Sequence, residues 1–117
     1  MREVIAQKGE SGAEIFLSAV TIAELEVGMA HNETPKRRSA LKRFLTPFEI
    51  IPFDIDAARA FGRVRSALES GGQRIGAYDM QIAAEALAKD LILVTHNTKE
   101  FERIAGLRIE DWVEDPG

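Results

Sequence analysis

The sequence predicts an α/β domain with a mostly parallel sheet covered by helices on both faces. Three observations carry that expectation. The chain has 117 residues, enough for one hydrophobic core and too few for two domains. Its longest apolar runs are short and continuous, as in Ile15-Phe16-Leu17, Ile50-Ile51 and Leu91 to Val94. Between them lie segments with apolar residues at helical spacing. Strands that are apolar throughout are buried on both sides, which parallel sheets require.

Residues 1–14 are polar, with Gly9, Ser11 and Gly12, and read as a helical or loose entry segment. Ile15 to Ala19 suits a buried strand and leads directly into Thr21 to Met29, where positions 22, 25 and 29 follow helical spacing. Pro35 opens a basic helix reaching Phe44, since proline is tolerated in a first turn. Glu49 to Phe53 reads as a second strand, which Pro52 confines to a sheet edge or strand end. Asp54 or Asp56 caps the next helix, with its stripe of Ala57, Ala60, Phe61, Val64 and Leu68, and Gly71-Gly72 ends it. An alanine-rich helix follows from about Ala77 to Lys89. Leu91 to Thr95 is the clearest strand, Asn97 to Ile104 a short helix, and Leu107 to Val113 a last strand.

Composition bounds the function without deciding it. There are no cysteines, which excludes a disulfide framework, a thiolate zinc site and a cysteine nucleophile. The N-terminus is too polar for a signal peptide, and no apolar run approaches the roughly 20 residues that span a bilayer. Net charge is −4, from 19 acidic and 15 basic residues. Acidic balance argues against a passive nucleic-acid coat, but carboxylates holding a divalent ion meet a polyanion through the ion's charge. The glycines match no nucleotide-binding loop, and Ser18 has no histidine and aspartate at hand for a triad.

In α/β sheets, ligands bind beyond the carboxyl ends of the strands. That rule selects Ser18 to Glu24 and Thr95 to Asn97. Each candidate also has a structural reading. Thr21-x-x-Glu24 matches a capping box. Asp79 is favoured by the dipole at a helix start. Asn97 can cap the helix after it, or offer its carbonyl oxygen to a metal. His96 reads as an exposed loop residue and Trp112 as edge packing. The basic cluster Lys36, Arg37, Arg38, Lys42 and Arg43 is either a solvated helix face or a contact for a polyanion or acidic partner.

Taken together, these segments resemble a known family. Leu17 to Gly28 resembles the second block of VapC-type toxins of the PIN-domain family. Ile75 to Ala84 is similar to their third block, Leu93 to Phe101 to their fourth, and Gly106 to Trp112 to their last strand. Four blocks occur in the family's order from Ile15 to Trp112. The resemblance implies a three-layer α/β/α fold and a cytoplasmic ribonuclease that uses Mg²⁺ or Mn²⁺. It makes Glu24 and Asp79 metal ligands and puts Asn97 where many relatives have aspartate. It also implies an RNA substrate, a VapB-type antitoxin, a homodimer and no membrane.

One feature departs from the family. Its members begin with an apolar strand ending in Asp-x-Asn, central in the sheet, whose aspartate is the first ligand. Nothing of that kind precedes Ile15, so residues 1–117 are expected to be a single PIN-like domain without that strand. A sheet lacking its centre leaves two rows of backbone groups unpaired. The chain must then borrow a strand, rearrange its sheet or stay partly molten.

Overall fold

The structure, a computed structural model, describes residues 3–9 and 12–112. The elements run β1 (Glu3–Gly9), β2 (Gly12–Ser18), α1 (Ala19–His31), α2 (Pro35–Leu45), β3 (Glu49–Ile51), α3 (Ile55–Ser70), α4 (Ala77–Ala88), β4 (Ile92–Thr95), α5 (Thr98–Phe101) and β5 (Arg108–Glu110). The strands form one mixed sheet in the order β3-β2-β1-β4-β5. β2 pairs with β3 and β4 with β5 in parallel, while β1 is antiparallel to both β2 and β4. Four strands therefore share one direction and the central strand opposes them.

The N-terminal segment corrects the sequence reading. Residues 3–9 are neither loose nor helical; they are the central strand, joined to β2 as a hairpin. The chain itself supplies the centre of its sheet. Ile5 and Ala6 are fully buried, and their cross-strand partners on β4 are Leu93 and Ile92. The physical reason lies outside the segment. Two flanking strands would otherwise bury unpaired N–H and C=O groups, each costing roughly 1–3 kcal/mol. Three apolar residues, Val4-Ile5-Ala6, are enough to occupy that slot.

Alternation along β1 and β4 divides the core. Ile5, Phe16 and Leu93 join Val64, Leu68, Ile82, Ala83 and Phe101 in the larger cluster. Ala6, Ile92 and Val94 form a smaller one, with Val4 packed against it. Both faces of the central strands are thus buried, as a run such as Ile92-Leu93-Val94 demands.

Local signals explain most boundaries. The Asp54 carboxylate accepts the Ala57 amide hydrogen and caps α3. Thr34 caps α2 and Pro35 fills its first turn. β3 is an edge strand, as Pro52 required. Gly72, at φ 69°, carries the chain out of α3. Several expected bounds move. β2 runs from Gly12 to Ser18 rather than from Ile15 to Ala19, and α1 begins at Ala19 rather than near Thr21. β3 stops at Ile51, α5 stops at Phe101, and β5 covers only Arg108–Glu110. Val113 lies outside the described residues.

Candidate active site at the strand ends

Because β2 and β4 are parallel, Ser18 and Thr95 end at the same border of the sheet. β1 runs the other way, so its first described residue, Glu3, stands at that border too, opposite Thr95. The chain leaves β2 toward β3 on one side and β4 toward β5 on the other. This divergence is the switch point at which open sheets build ligand crevices. The buried polar side chains of the described residues are Glu3, Ser18, Thr21, Asp79, Glu85 and Thr95. They come from the strand ends at this border, the start of α1, and α4.

Glu24 lies in the second turn of α1. The helix is capped by Ser18, whose Oγ accepts the Val20 amide at 2.9 Å, and its first turn holds no acidic residue. The capping-box reading of Thr21 and Glu24 is therefore wrong. Sequence alone misplaced the cap because Ser18 and Thr21 are both good caps, and only the strand end decides between them. Glu24 is exposed.

Asp79 is in the first turn of α4, as expected, but it is 93% buried, with a relative exposure of 7%. Asn97 occupies the cap position of α5 without making a side-chain cap bond. Its Nδ2 donates to Glu100 and its backbone N–H donates to Thr95 Oγ1 at 3.0 Å. With the amide nitrogen engaged, the carbonyl oxygen is the end available as an acceptor. His96 is exposed, as expected, and its Nδ1 lies 3.0 Å from Asp111 Oδ2.

Two carboxylates at this border were not singled out from sequence. Glu3 is buried and accepts the Thr95 hydroxyl at 3.2 Å. Glu85, fully buried on α4, accepts the Ser18 hydroxyl at 2.9 Å. Burial pushes the Glu85 carboxyl up to about 7, with the Ser18 bond opposing and Asp54 adding to the rise. Nothing in the local sequence distinguishes Glu85 from a surface residue of an alanine-rich helix. Among the described residues no three His, Cys, Asp or Glu side chains already stand together as a metal cage.

The PIN domain family model matches residues 1–107. The chain belongs to the PIN-domain family. Among its relatives, the tRNA(fMet)-specific endonuclease VapC of Shigella flexneri is 39% identical over 100 residues, 85% of this chain and 76% of that protein. Ribonuclease VapC2 of Haemophilus influenzae is 36% identical over 112 residues, 95% and 85% of the two chains. Solved PIN-domain structures share the architecture. VapBC2 from Rickettsia felis, bound to a DNA fragment from its promoter, gives a TM-score of 0.77 at 37% identity, covering 84% of this chain and 74% of that one. VapBC-1 from nontypeable Haemophilus influenzae gives 0.79 at 29% identity, covering 85% and 75%. PIN-domain membership agrees with the four blocks read along the sequence.

The basic helix of this PIN-domain chain has no buried residue. Arg38 is tied to Glu26 and Glu33, whose hydrogen bonds hold its guanidinium even more firmly charged than usual. Part of the patch is thus neutralised within the chain. Beside it, a cleft of about 480 Å³ between α1 and α2 is lined by Ile22, Leu41 and Leu45 with Glu26, Arg38 and Lys42. No helix of the described residues is long and apolar enough to cross a membrane.

Proposed function

We propose that this chain is a divalent-metal-dependent RNA endonuclease, the cytoplasmic VapC-type toxin of a toxin–antitoxin pair. In this reading residues 1–117 are one PIN-like domain in which β1 stands in for the family's first strand. The supporting observation is that Glu24 lies on the helix that leaves the end of β2, Asp79 in the first turn of the helix that leads into β4, and Asn97 just past the end of β4, with capping no longer explaining Glu24. The donors are all oxygens, which suit Mg²⁺ or Mn²⁺. Mg²⁺ keeps several waters and takes only one or two carboxylates, so the set fits without a ready cage. Glu24 and Asp79 would be the ligands and Asn97 would assist through its carbonyl oxygen.

When bound, the ion supplies neutralising charge to a phosphodiester and lowers the pKa of water. The protein's part is placement. Asp79 is held in the first turn of α4, a position that suits a carboxylate beside the helix dipole. Exposed Glu24 is free to move toward an ion on the second turn of α1. Glu100 restrains the Asn97 amide. Lys36, Arg37, Lys42 and Arg43 give RNA phosphates a positive face. The apolar cleft on the Glu24-bearing helix suits a VapB-type antitoxin segment, and the toxin pairs as a homodimer.

The test is metal linkage. An ion that binds only the folded state stabilises it, by roughly 2.7 kcal/mol at a hundredfold excess over Kd. Mn²⁺ should raise the melting temperature of the wild type and leave a Glu24→Ala/Asp79→Ala double variant unmoved. Equal shifts in both would remove the site. Among the described residues no three acidic side chains form a cluster, which favours a second reading, a catalytically silent PIN-like module that binds antitoxin, RNA or another protomer. That module would show no saturable Mn²⁺ binding by calorimetry, and no RNA cleavage with Mg²⁺.

A further inference from the structure

Glu85 has no part in the site as drawn, yet it sits at an expensive place. Its side chain is fully buried; Oε1 accepts the Ser18 hydroxyl, and Oε2 has no hydrogen-bond partner among the described residues. A buried polar atom left unpaired lowers stability, and a leucine of similar volume would not incur that loss. What the carboxyl secures is a connection. Ser18 Oγ makes two bonds at once, donating to Glu85 and accepting the Val20 amide at 2.9 Å. Through that oxygen the first turn of α1 is tied to α4. Glu24 lies six residues beyond Ser18 on α1, and Asp79 lies six residues before Glu85 on α4.

We propose that Glu85 is a positioning residue for the metal site: through Ser18 it fixes the start of α1, and with it Glu24, against the helix that bears Asp79. This rests on reading Glu24 and Asp79 as ligands. Helix α1 is otherwise adjustable at that point. α1 buries only Val20, Thr21 and Met29, so its packing leaves rotation and sliding weakly opposed. α4 is buried along most of its length and serves as the fixed member. A hydrogen bond between two buried groups, 67 residues apart in sequence, converts the rigidity of α4 into a fixed origin for α1.

Three substitutions in the full chain separate positioning from plain stability, with Mn²⁺ alone as the calorimetric probe. Glu85→Gln keeps the acceptor, so its Mn²⁺ affinity should stay within about twofold of wild type. Glu85→Leu keeps the volume and loses the acceptor; it should bind Mn²⁺ about tenfold more weakly while still melting as a cooperatively folded protein. Ser18→Ala should weaken binding to a similar degree, and combining it with Glu85→Leu should add little. Wild-type affinity in a folded Glu85→Leu protein overturns the proposal. Should that variant not fold, wild-type affinity in Ser18→Ala overturns it instead. If the wild type itself binds no Mn²⁺ saturably, the metal reading fails, and hydrogen exchange at the Val20 amide still decides the connection. Faster exchange in Glu85→Leu than in Glu85→Gln upholds it, and equal exchange ends it.

Discussion

Strands β1 and β4 lie side by side at the centre of the sheet and are held there by different means. All four residues of β4 are buried, and β4 follows α4, the most deeply buried helix, after a short turn. β1 is buried only in its first half. Glu3, Ile5 and Ala6 are covered and Val4 partly so, while Gln7, Lys8 and Gly9 are exposed. Its companion is β2, reached by a short hairpin, so closing that pair costs little entropy. The contrast shows two routes to a central strand. β4 is apolar enough to be a strand wherever it is placed. β1 is a strand because hydrogen-bonding edges on both sides leave it no other favourable state.

The harshest way to break this comparison is to remove a backbone donor from the centre. Ala6→Pro deletes an N–H within the paired stretch of β1 and brings the ring into the ladder, at a cost of about 3 kcal/mol or more. Against a total of about 5–15 kcal/mol, the variant should lose most of its cooperative melting. A wild-type melt would return residues 3–9 to the loose segment suggested by sequence.

A paired truncation sharpens the comparison. Ile5 and Leu93 are both fully buried and directly opposed across β1 and β4 in the larger core cluster. Ile5→Ala and Leu93→Ala should each cost about 2–5 kcal/mol in denaturant titrations. If Ile5→Ala costs less than about 1 kcal/mol, β1 is a peripheral cover rather than a core strand.

Much of β4's surroundings could be read in the sequence because the signals are local. Asp54 caps α3, Pro35 starts α2, Pro52 marks an edge, and the stripe from Ala57 to Leu68 faces the core. The order of the blocks also gave the family and the residues offered as the site. What could not be read depends on neighbours far along the chain. Val4-Ile5-Ala6 is too short a run to announce a strand. Glu3 and Glu85 resemble surface acids until Thr95 and Ser18 are placed beside them. The cap of α1 depended on where β2 ends.

The polar ends of these strands respond to pH through Glu85. Its carboxyl is raised by burial from about 4.5 to about 7, so between those values the folded state holds a proton that the unfolded state has lost. Its favourable contribution is complete below about pH 4.5 and is lost as pH rises through about 7. Glu85→Gln, neutral throughout, should therefore flatten this part of the stability profile and exceed wild type at pH 8, by roughly 1–3 kcal/mol. An unchanged slope between pH 5 and 8 would mean that Glu85 is ionised without cost, and that β2, β1 and β4 end in a wetter border than the structure describes.

The smallest expected effect concerns the exposed half of β1. Lys8 forms an ion pair with Glu110 of β5 at 2.8 Å, with the lysine side chain 58% exposed. The Lys8 ammonium, and after it the Trp112 indole N–H, holds the Glu110 carboxyl below its ordinary value. A depressed carboxylate adds stability above its unfolded pKa and loses it as pH falls through the folded one. Here solvent screens the pair and two flexible side chains must be ordered to form it, which leaves little net gain. Lys8→Ala should accordingly move the neutral-pH melting temperature by no more than about 1 °C, and added salt should erase even that. If β1 were held by its charged outer half, the same substitution would loosen the hairpin, and exchange at the Ile5 and Ala6 amides would accelerate. Protection at those two amides that survives Lys8→Ala but not Ile5→Ala places the anchor of β1 in its buried half.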